Sequence, residues 1–258
     1  MASSLQDTQA EERTVMDLFE AALMREAPCS GRVGKVRAAA RPCVLNRGES
    51  APLENGRDWL VFVAKGVGKL VSASESGRSP APKIKSTVAE TQIVGFCFPR
   101  DIVCLSRGPG AHLSFVATGP STAVTLPVDS FLDAARGEAE LVRGVLNRSL
   151  GEMERSRMRM MQMRLETPRA RIAGFLAAMA RRICGCSNGA CRLALPMGRG
   201  DIAASLALTV EALENELKEM QYARILYVAG RSIDLTDVGA LDRESRVNAA
   251  LRSRRCGV

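Results

Sequence analysis

The sequence predicts an α+β fold with a β-rich N-terminal half, one long helix, and a C-terminal unit of helices and a small β-hairpin. Short β-prone runs broken by Gly and Pro recur at intervals of about ten residues from Val33 to about Ala134. Apolar residues then recur at helical spacing from about Phe131 to Leu165. From Leu195 to Leu241 the pattern is helix, tight turn, helix and hairpin.

Length and composition exclude several classes of protein. The 258 residues are enough for two modest domains, and a net charge of +8 suits a partner that carries phosphates. The chain has no apolar run of about 18 residues and no secretory-type leader, so we expect no membrane span and a cytoplasmic location. The eight Cys should then be mostly reduced. With His112 as the single His, Ser–His, Cys–His and multi-His metal chemistry are disfavoured, and no enzyme activity is predicted.

The N-terminal half reads as a helix followed by a sandwich or barrel. Residues 1 to about 12 are polar and are predicted to be mobile, and apolar positions from Val15 to Leu23 predict a short helix that covers the next domain. The segment from Ser72 to Glu90 is rich in Ser, Pro and Lys and is interpreted as a mobile insertion. The predicted strands are 44–45, 59–64, 67–72, 93–96, 102–105, 113–117 and 123–126.

The long helix carries the signature of a dimerisation seam. Its apolar and small residues alternate by four and three, as in the a and d positions of a heptad, which predicts pairing with a second copy. A second apolar side, which includes Leu141, Val145 and Leu150, is predicted to meet the chain's own domains. The predicted seam consists of Val142, Leu146, Ser149, Met153, Ser156, Met160 and Met163.

The C-terminal unit predicts a winged helix-turn-helix. Thr209 suits the N-cap of the second helix, and an apolar stripe from Val210 to Met220 follows it at steps of three and four. Two β-prone runs, Ile225 to Val228 and Ser232 to Leu235, flank a short turn. Two helices with a short turn, followed by a wing, form a unit whose second helix enters the major groove of DNA.

Two segments resemble a known family. LPMGRGDIAASLALTVEALENELKEM is similar to LPMSRQDIADYLGLTVETVSRLLxxL, a pattern of the CRP/FNR family of bacterial transcription regulators, nearest the FNR and FixK branches. IVGFCFPRDIVCL is similar to GFxLPGDLVGF of that family's cyclic-nucleotide-binding β-roll. The resemblance implies a homodimer that binds near-palindromic double-stranded DNA, with RNA polymerase as a candidate partner. The implied organisation is a mobile N-terminus with a short helix (1–30), a β-roll sensor domain (31–135), a dimerisation helix (136–166), a winged helix-turn-helix (167–242) and a basic tail (243–258).

The recognition helix departs from the family pattern. Where the family has Glu, Ser and Arg, this chain has Glu211, Glu214 and Asn215, so the Arg that pairs with guanine is absent. Residues 209–221 contain four Glu and one Lys, a net charge of −3. The family's turn glycine is Ala207 here, and a positive φ would cost Ala on the order of 1 kcal/mol.

These departures leave three alternatives open: altered sequence preference, weak binding, or a regulator that no longer reads DNA and acts by pairing with a homologue. The candidate phosphate contacts are Arg199 and Thr209, and the candidate base contacts are Glu211 and Asn215, with Asn215 suited to adenine and Glu211 to cytosine. Glu214 and Lys218 are predicted to line the same face.

The resemblance also implies that no cofactor is bound. Family members that bind cyclic AMP use a Gly-Glu pair and an Arg-Ser pair, and SRGPGAHLSFVATG has neither, although Arg107 lies nearby. The FNR iron-sulfur cluster takes three closely spaced N-terminal Cys and one in the roll. This chain has Cys29 and Cys43, and Val124 where the roll ligand would stand.

The one unusual chemical cluster is Cys184, Cys186 and Cys191. Arg181, Arg182 and Arg192 would favour thiolates there, so these three are candidate redox thiols, with ordinary reduced thiols and a metal site as alternatives. A thiol oxidoreductase is disfavoured, because the chain lacks a C-x-x-C motif and a thioredoxin-like βαβ pattern. The Arg-rich tail is interpreted as a frayed, solvated segment, with nonspecific phosphate contacts as the alternative.

Overall fold

The computed structural model describes residues 2–28, 31–73, 91–107, 112–165 and 167–253. These residues form two compact units, residues 1–154 and residues 155–258. Within the described residues, no helix has both the length and the apolar character needed to cross a membrane.

The first unit contains seven strands in two antiparallel sheets within its described residues. One sheet has the order β1-β7-β2-β5, and the other has the order β4-β3-β6. The predicted strands and the predicted fold class are confirmed. The strands are β1 (Arg41–Leu45), β2 (Trp59–Lys65), β3 (Gly68–Ala73), β4 (Thr91–Cys97), β5 (Ile102–Leu105), β6 (His112–Ala117) and β7 (Ser121–Pro127).

Strand β2 is apolar on both faces because it lies between two cores. Val61 and Val63 pack into the cluster that the second sheet shares, which includes Leu70 and Phe115. Leu60 and Phe62 alternate with them and pack into a separate cluster under the helices. Since successive side chains of a strand point to opposite faces, a continuous apolar run is what this position requires.

Four helices belong to the first unit or begin in it: α1 (Ala2–Glu26), α2 (Val33–Ala39), α3 (Val128–Ala134) and α4 (Ala139–Leu165). Val15, Phe19 and Leu23 of α1 are buried in the cluster under the helices. The ring of Phe19 lies 5.5 Å from the ring of Phe62. The N-terminal helix therefore covers the sheet, as the sequence predicts.

Three features of this unit differ from the prediction. Helix α1 begins at Ala2 rather than near Val15, and its sequence contains neither Gly nor Pro to interrupt it. Helix α2 was not predicted. The single helix expected from Phe131 to Leu165 is broken, because Gly137 adopts a φ of +89° and the N–H of Glu138 donates to the carbonyl of Ala135 at 2.9 Å. Most of the expected insertion, residues 74–90, lies outside the described residues.

The exposed apolar stripe of α4 is rotated from the predicted seam. Ser149, predicted at the seam, is only 8% exposed, whereas Leu150, predicted on the inner side, is 49% exposed. Leu146 and Met153 are exposed as predicted, and Val142 is partly buried against the cluster under the helices. The prediction was therefore wrong for Ser149 and Leu150, because α1 packs against this side of the helix. The side chains of Ser156, Met160 and Met163 lie outside the described residues.

The second unit is a helix-turn-helix with a three-stranded sheet. Thr167 caps α5 by accepting from the N–H of Ala170 at 3.2 Å, and Pro168 is the first helical residue, as predicted. A π-helical turn, Ala180–Cys184, follows α5. The other elements are α5 (Pro168–Met179), β8 (Cys191–Ala194), α6 (Arg199–Ser205), α7 (Val210–Tyr222), β9 (Leu226–Ala229), β10 (Ser232–Leu235) and α8 (Val238–Ser253).

The core of this unit lies between α5, α7, α8 and the sheet, whose strand order is β8-β10-β9. Buried Ile172, Leu176, Leu213 and Leu241 belong to it. Helix α8 extends to Ser253, so most of the segment interpreted as a frayed tail is helical, and residues 254–258 lie outside the described residues.

Candidate nucleic-acid interface

Helix α7 has one buried face and one exposed polar face. Its apolar residues Leu213, Leu217 and Met220 are at most 2% exposed. On the opposite face, the exposed residues lie at helical steps of four, three and four, which places them in one row. This row, called the polar row below, consists of Glu211, Asn215, Lys218 and Tyr222. The structure therefore brings together three of the predicted contact residues, and adds a tyrosine that is 79% exposed.

The turn between α6 and α7 is a Schellman motif with Ala207 at its left-handed position. The φ of Ala207 is +51°, so the expected positive φ is confirmed. The N–H of Leu208 donates to the carbonyl of Ala203 at 2.9 Å, and the N–H of Ala207 donates to Ala204 at 3.2 Å. The guanidinium of Arg171 in α5 donates to the carbonyl of Leu206 at 2.6 Å. These bonds set the angle at which α7 leaves the turn.

The start of α7 is capped as the sequence predicts. The hydroxyl oxygen of Thr209 accepts from the N–H of Ala212 at 3.1 Å. Because Thr209 is exposed at the N-terminus of a helix, its hydroxyl and the neighbouring N–H groups suit a phosphate.

Arg199 is held inside the second unit by two contacts. Its Nε lies 3.2 Å from Oε1 of Glu214, and its Nη2 donates to the carbonyl of Gly230 at 3.4 Å. The side chain of Arg199 is 23% exposed, and that of Glu214 is 40% exposed. Glu214 therefore lies on the flank of α7 beside Arg199, rather than in the polar row.

The wing is joined to the recognition helix. A two-residue turn connects β9 and β10, with Gly230 at a φ of +61°. The side-chain oxygen of Gln221 in α7 accepts from the N–H of Val228 in β9 at 3.0 Å. Together with the bond from Arg199 to Gly230, this contact holds the wing beside α7.

The three clustered cysteines do lie close together. The thiol of Cys184 donates to the carbonyl of Arg192 at 3.5 Å, and the thiol of Cys186 donates to the carbonyl of Cys184 at 3.7 Å. Cys191 is 7% exposed. Burial, followed by hydrogen bonds with Cys186 and Cys184, raises the pKa of Cys191 to about 12.

The expectation that nearby arginines favour a thiolate is therefore wrong for Cys191. Arg181 pairs with Asp242 at 3.1 Å, and Arg192 pairs with Asp234 at 3.4 Å, so both charges are engaged elsewhere. Across the described residues, no group of three or more His, Cys, Asp or Glu is arranged to hold a metal ion.

Known proteins resemble the chain in sequence and in fold. Residues 170–244 match the model of the Crp-like helix-turn-helix domain. The chain is 27% identical over 210 residues to the anaerobic regulatory protein of Pasteurella multocida, across 78% of this chain and 77% of that protein. It is 26% identical over 208 residues to the nitrogen fixation regulation protein FixK of Azorhizobium caulinodans, across 80% of this chain and 83% of that protein. The structure of FixK2 from Bradyrhizobium japonicum has a TM-score of 0.64 at 24% identity, across 79% of this chain and 96% of that one.

Residues 170–244 therefore form a Crp-like helix-turn-helix domain, and the chain as a whole is similar to CRP/FNR-type transcription regulators. The resemblance predicted from the segment around the two helices is thus confirmed, and the relatives are regulators rather than enzymes. Of the six candidate DNA contacts, Thr209 caps α7, and the other five divide into two sets. Glu211, Asn215 and Lys218 lie in the polar row, whereas Arg199 and Glu214 pair with each other beside it.

Two basic residues near this surface were not singled out from the sequence. Arg224, just past the end of α7, and Arg231, in the wing turn, are both exposed. Exposed guanidinium groups are suited to contacts with a phosphate backbone, which fix the register of a protein on DNA without reading its sequence. The sequence signal for them is their position at a helix end and in a hairpin turn, where basic side chains are exposed.

Proposed function

We propose that the chain is a CRP/FNR-type transcription regulator, and that it acts as a homodimer that docks α7 of each subunit in the major groove of near-palindromic DNA. The observation that carries the proposal is the polar row of α7, which stands opposite a fully buried apolar face. A helix of this kind, held by a capped turn and followed by a wing, has the geometry of a major-groove reader.

The composition of the polar row determines the sequence preference that we propose. The amide of Asn215 suits a bidentate contact with adenine, and the carboxylate of Glu211 suits the amino group of cytosine. Thr209, Lys218 and Arg199 would contact phosphates. Because the row lacks an arginine, the half-site should not depend on a guanine contact at the position facing Asn215.

The dimer interface that we propose is the exposed stripe of α4. Leu146, Leu150 and Met153 are each about half exposed and follow one another by four and three. A second copy of the same stripe would cover them. The change Leu150→Asp should shift the chain from dimer to monomer in sedimentation equilibrium, whereas Asn147→Asp, an exposed neighbour on the same helix, should not. A dimer that persists in Leu150→Asp would contradict this assignment.

We further propose that the regulator works without cyclic AMP and without an FNR-type cluster. The guanidinium of Arg107 donates to the carbonyl of Leu53 at 3.0 Å and to the side chain of Asn55 at 2.6 Å, so it braces a loop of its own unit. Burial raises the pKa of Cys43 to about 11, which opposes the thiolate form that a cluster needs. We place its action in the cytoplasm, with RNA polymerase as a partner.

Selection from a pool of random duplexes with the reduced full-length protein tests the proposal. We expect a near-palindromic winner with half-sites about one helical turn apart, and a steep loss of affinity as salt rises. Asn215→Ala should weaken binding to the winner by about 5- to 150-fold, the range of a lost bidentate base contact, while leaving nonspecific binding almost unchanged. No enrichment, with weak binding to every duplex, would contradict specific DNA reading.

The alternative is a regulator that has lost specific reading and acts by pairing with a homologous protein. It is favoured by the net charge of −3 on residues 209–221 and by the internal engagement of Arg199. Under this alternative, the double change Glu214→Ser and Asn215→Arg should restore specific binding. If the double variant binds no better than the parent, the loss of these two contacts is not what prevents reading.

A further inference from the structure

We propose that Glu214 acts as an internal stand-in for a DNA phosphate: it holds Arg199 in the free protein, and docking on DNA requires a phosphate to displace it. This inference rests on the proposed function and adds a residue that tunes affinity and salt dependence. From the sequence, Arg199 is a candidate phosphate contact and Glu214 lines the face of the base contacts, and their pairing is visible only in the structure.

The geometry brings three elements of the DNA-binding unit to one guanidinium. Arg199 is the first residue of α6, Glu214 lies on the flank of α7, and Gly230 is in the wing turn. The Nε–Oε1 distance of 3.2 Å is that of an ion pair. Carboxylate and phosphate oxygens are the same class of acceptor for a guanidinium, so the two compete for the same side chain.

Docking leaves this pair two outcomes, and each weakens binding. If Arg199 stays with Glu214, the pair is neutral as a whole and Arg199 adds no net charge toward the phosphates. If Arg199 turns to a phosphate, the carboxylate of Glu214 is left without its cation beside a polyanion. Because both side chains remain partly open to solvent, water and salt weaken this ion pair. A phosphate can therefore displace Glu214, and the pair adjusts affinity rather than blocking it.

The wing does not depend on this pair alone. Gln221 accepts from the N–H of Val228, which holds β9 to α7 independently of Arg199. Variants of Arg199 should therefore keep the arrangement of wing and helix well enough for a binding experiment to be interpreted.

A double-mutant cycle on the full chain tests the proposal. Glu214→Gln, Arg199→Gln and the double variant are titrated with two 30-base-pair probes, the selected duplex and an arbitrary duplex, by fluorescence anisotropy from 50 to 200 mM salt. Glu214→Gln should tighten binding about two- to fivefold, the range set by a weak, solvent-screened ion pair. It should also steepen the dependence of log affinity on log salt by up to about 0.9, the value for one added phosphate contact. In the Arg199→Gln background, Glu214→Gln should increase affinity by less than half of that fold-change.

Glu219→Gln is the matched control, because it removes the same charge from an exposed position on the same helix. An equal gain from Glu219→Gln, or an equal gain in the Arg199→Gln background, would mean that Glu214 acts only by general repulsion and would overturn the proposal. Weaker binding by Glu214→Gln would also overturn it, because Glu214 would then orient Arg199 for DNA. Melting curves show whether each variant is folded.

The two probes separate this inference from the proposed function. Phosphate contacts carry no sequence information, so the cycle gives a result on the arbitrary duplex even when the selection finds no winner. A cycle with the expected coupling and no selected site would support the stand-in while rejecting specific reading. A selected site without coupling between Glu214 and Arg199 would support specific reading while rejecting the stand-in. A chain that binds neither probe at 50 mM salt rejects both.

Discussion

Ala207 carries the backbone strain of the turn between α6 and α7, so replacing it by glycine should stabilise the second unit. Its φ of +51° lies in the left-handed region, where a side chain with a Cβ is penalised. The residue is exposed and forms the bend through its backbone, whose N–H donates to Ala204 at 3.2 Å. Glycine preserves that bond and removes the steric clash.

The size of the effect follows from two opposing contributions. Relief of the left-handed conformation is worth about 1–2 kcal/mol. The greater freedom of glycine in the unfolded chain opposes it by about 0.4–1 kcal/mol. We therefore expect Ala207→Gly to raise the free energy of unfolding by about 0.5–1 kcal/mol. For a unit of this size that corresponds to a rise in Tm of roughly 2–6 °C.

The distribution of aromatic residues lets each unit be followed separately in the full chain. Both tyrosines, Tyr222 and Tyr227, lie in the second unit, whereas the only tryptophan, Trp59, lies in the first. Thermal unfolding followed by tyrosine emission should show the rise, and the tryptophan transition should be unchanged.

The matched control is Ala204→Gly, at an exposed helical position of α6. It should lower stability by about 0.5–1 kcal/mol, so the two substitutions are expected to act in opposite directions. If Ala207→Gly lowers the Tm followed by tyrosine emission as much as Ala204→Gly does, the left-handed backbone at Ala207 is not strained, and the prediction is refuted.

Three further predictions concern other parts of the chain. Arg100 has a φ of +75° in the turn before β5. Arg100→Gly should therefore raise the free energy of unfolding of the first unit, followed by Trp59 emission, by about 0.5–1 kcal/mol. An unchanged free energy would contradict backbone strain at Arg100. Leu217→Ala should cost about 2–5 kcal/mol in the second unit, whereas exposed Val210→Ala should change stability little; equal effects would contradict the assigned burial. The pKa of Cys191 is raised from 9.0 to about 12. Alkylation of Cys191 by iodoacetamide at pH 8 should therefore be about a thousandfold slower in the native than in the urea-unfolded chain. The native rate should rise about tenfold per pH unit up to pH 11. Mass spectrometry of the labelled peptide measures that rate, and a native rate equal to the unfolded one would contradict the burial of this thiol.

Local pattern was enough for most of the elements and for several backbone details. The strand at residues 59–64 was predicted because a run of apolar residues bounded by a turn has few other solutions. The caps at Thr167 and Thr209 were predicted because a cap depends on residues only two or three positions away. The positive φ at Ala207 was anticipated by the family's turn glycine. The same kind of signal is present at Arg100, where GFxLPGDLVGF has Gly and the φ is +75°.

Contacts between elements distant in sequence were not predictable in this way. Whether Ser149 or Leu150 faces outward depends on where α1 packs, and the heptad pattern of α4 contains no information about α1. The pairing of Arg199 with Glu214 depends on the angle between α6 and α7 and on the place of the wing.

The sequence by itself therefore determined the resemblance to CRP/FNR-type regulators, the order of most elements, the caps and three of the four residues in the polar row of α7. Each of these depends on residues within one or two helical turns, or on a segment with an unbroken family spacing. Only the tertiary structure decided which charges remain available to DNA, which face of α4 is exposed, and that Cys191 is buried beside two other thiols. Those properties depend on distances between elements, and such distances are set by the packing of all the elements at once.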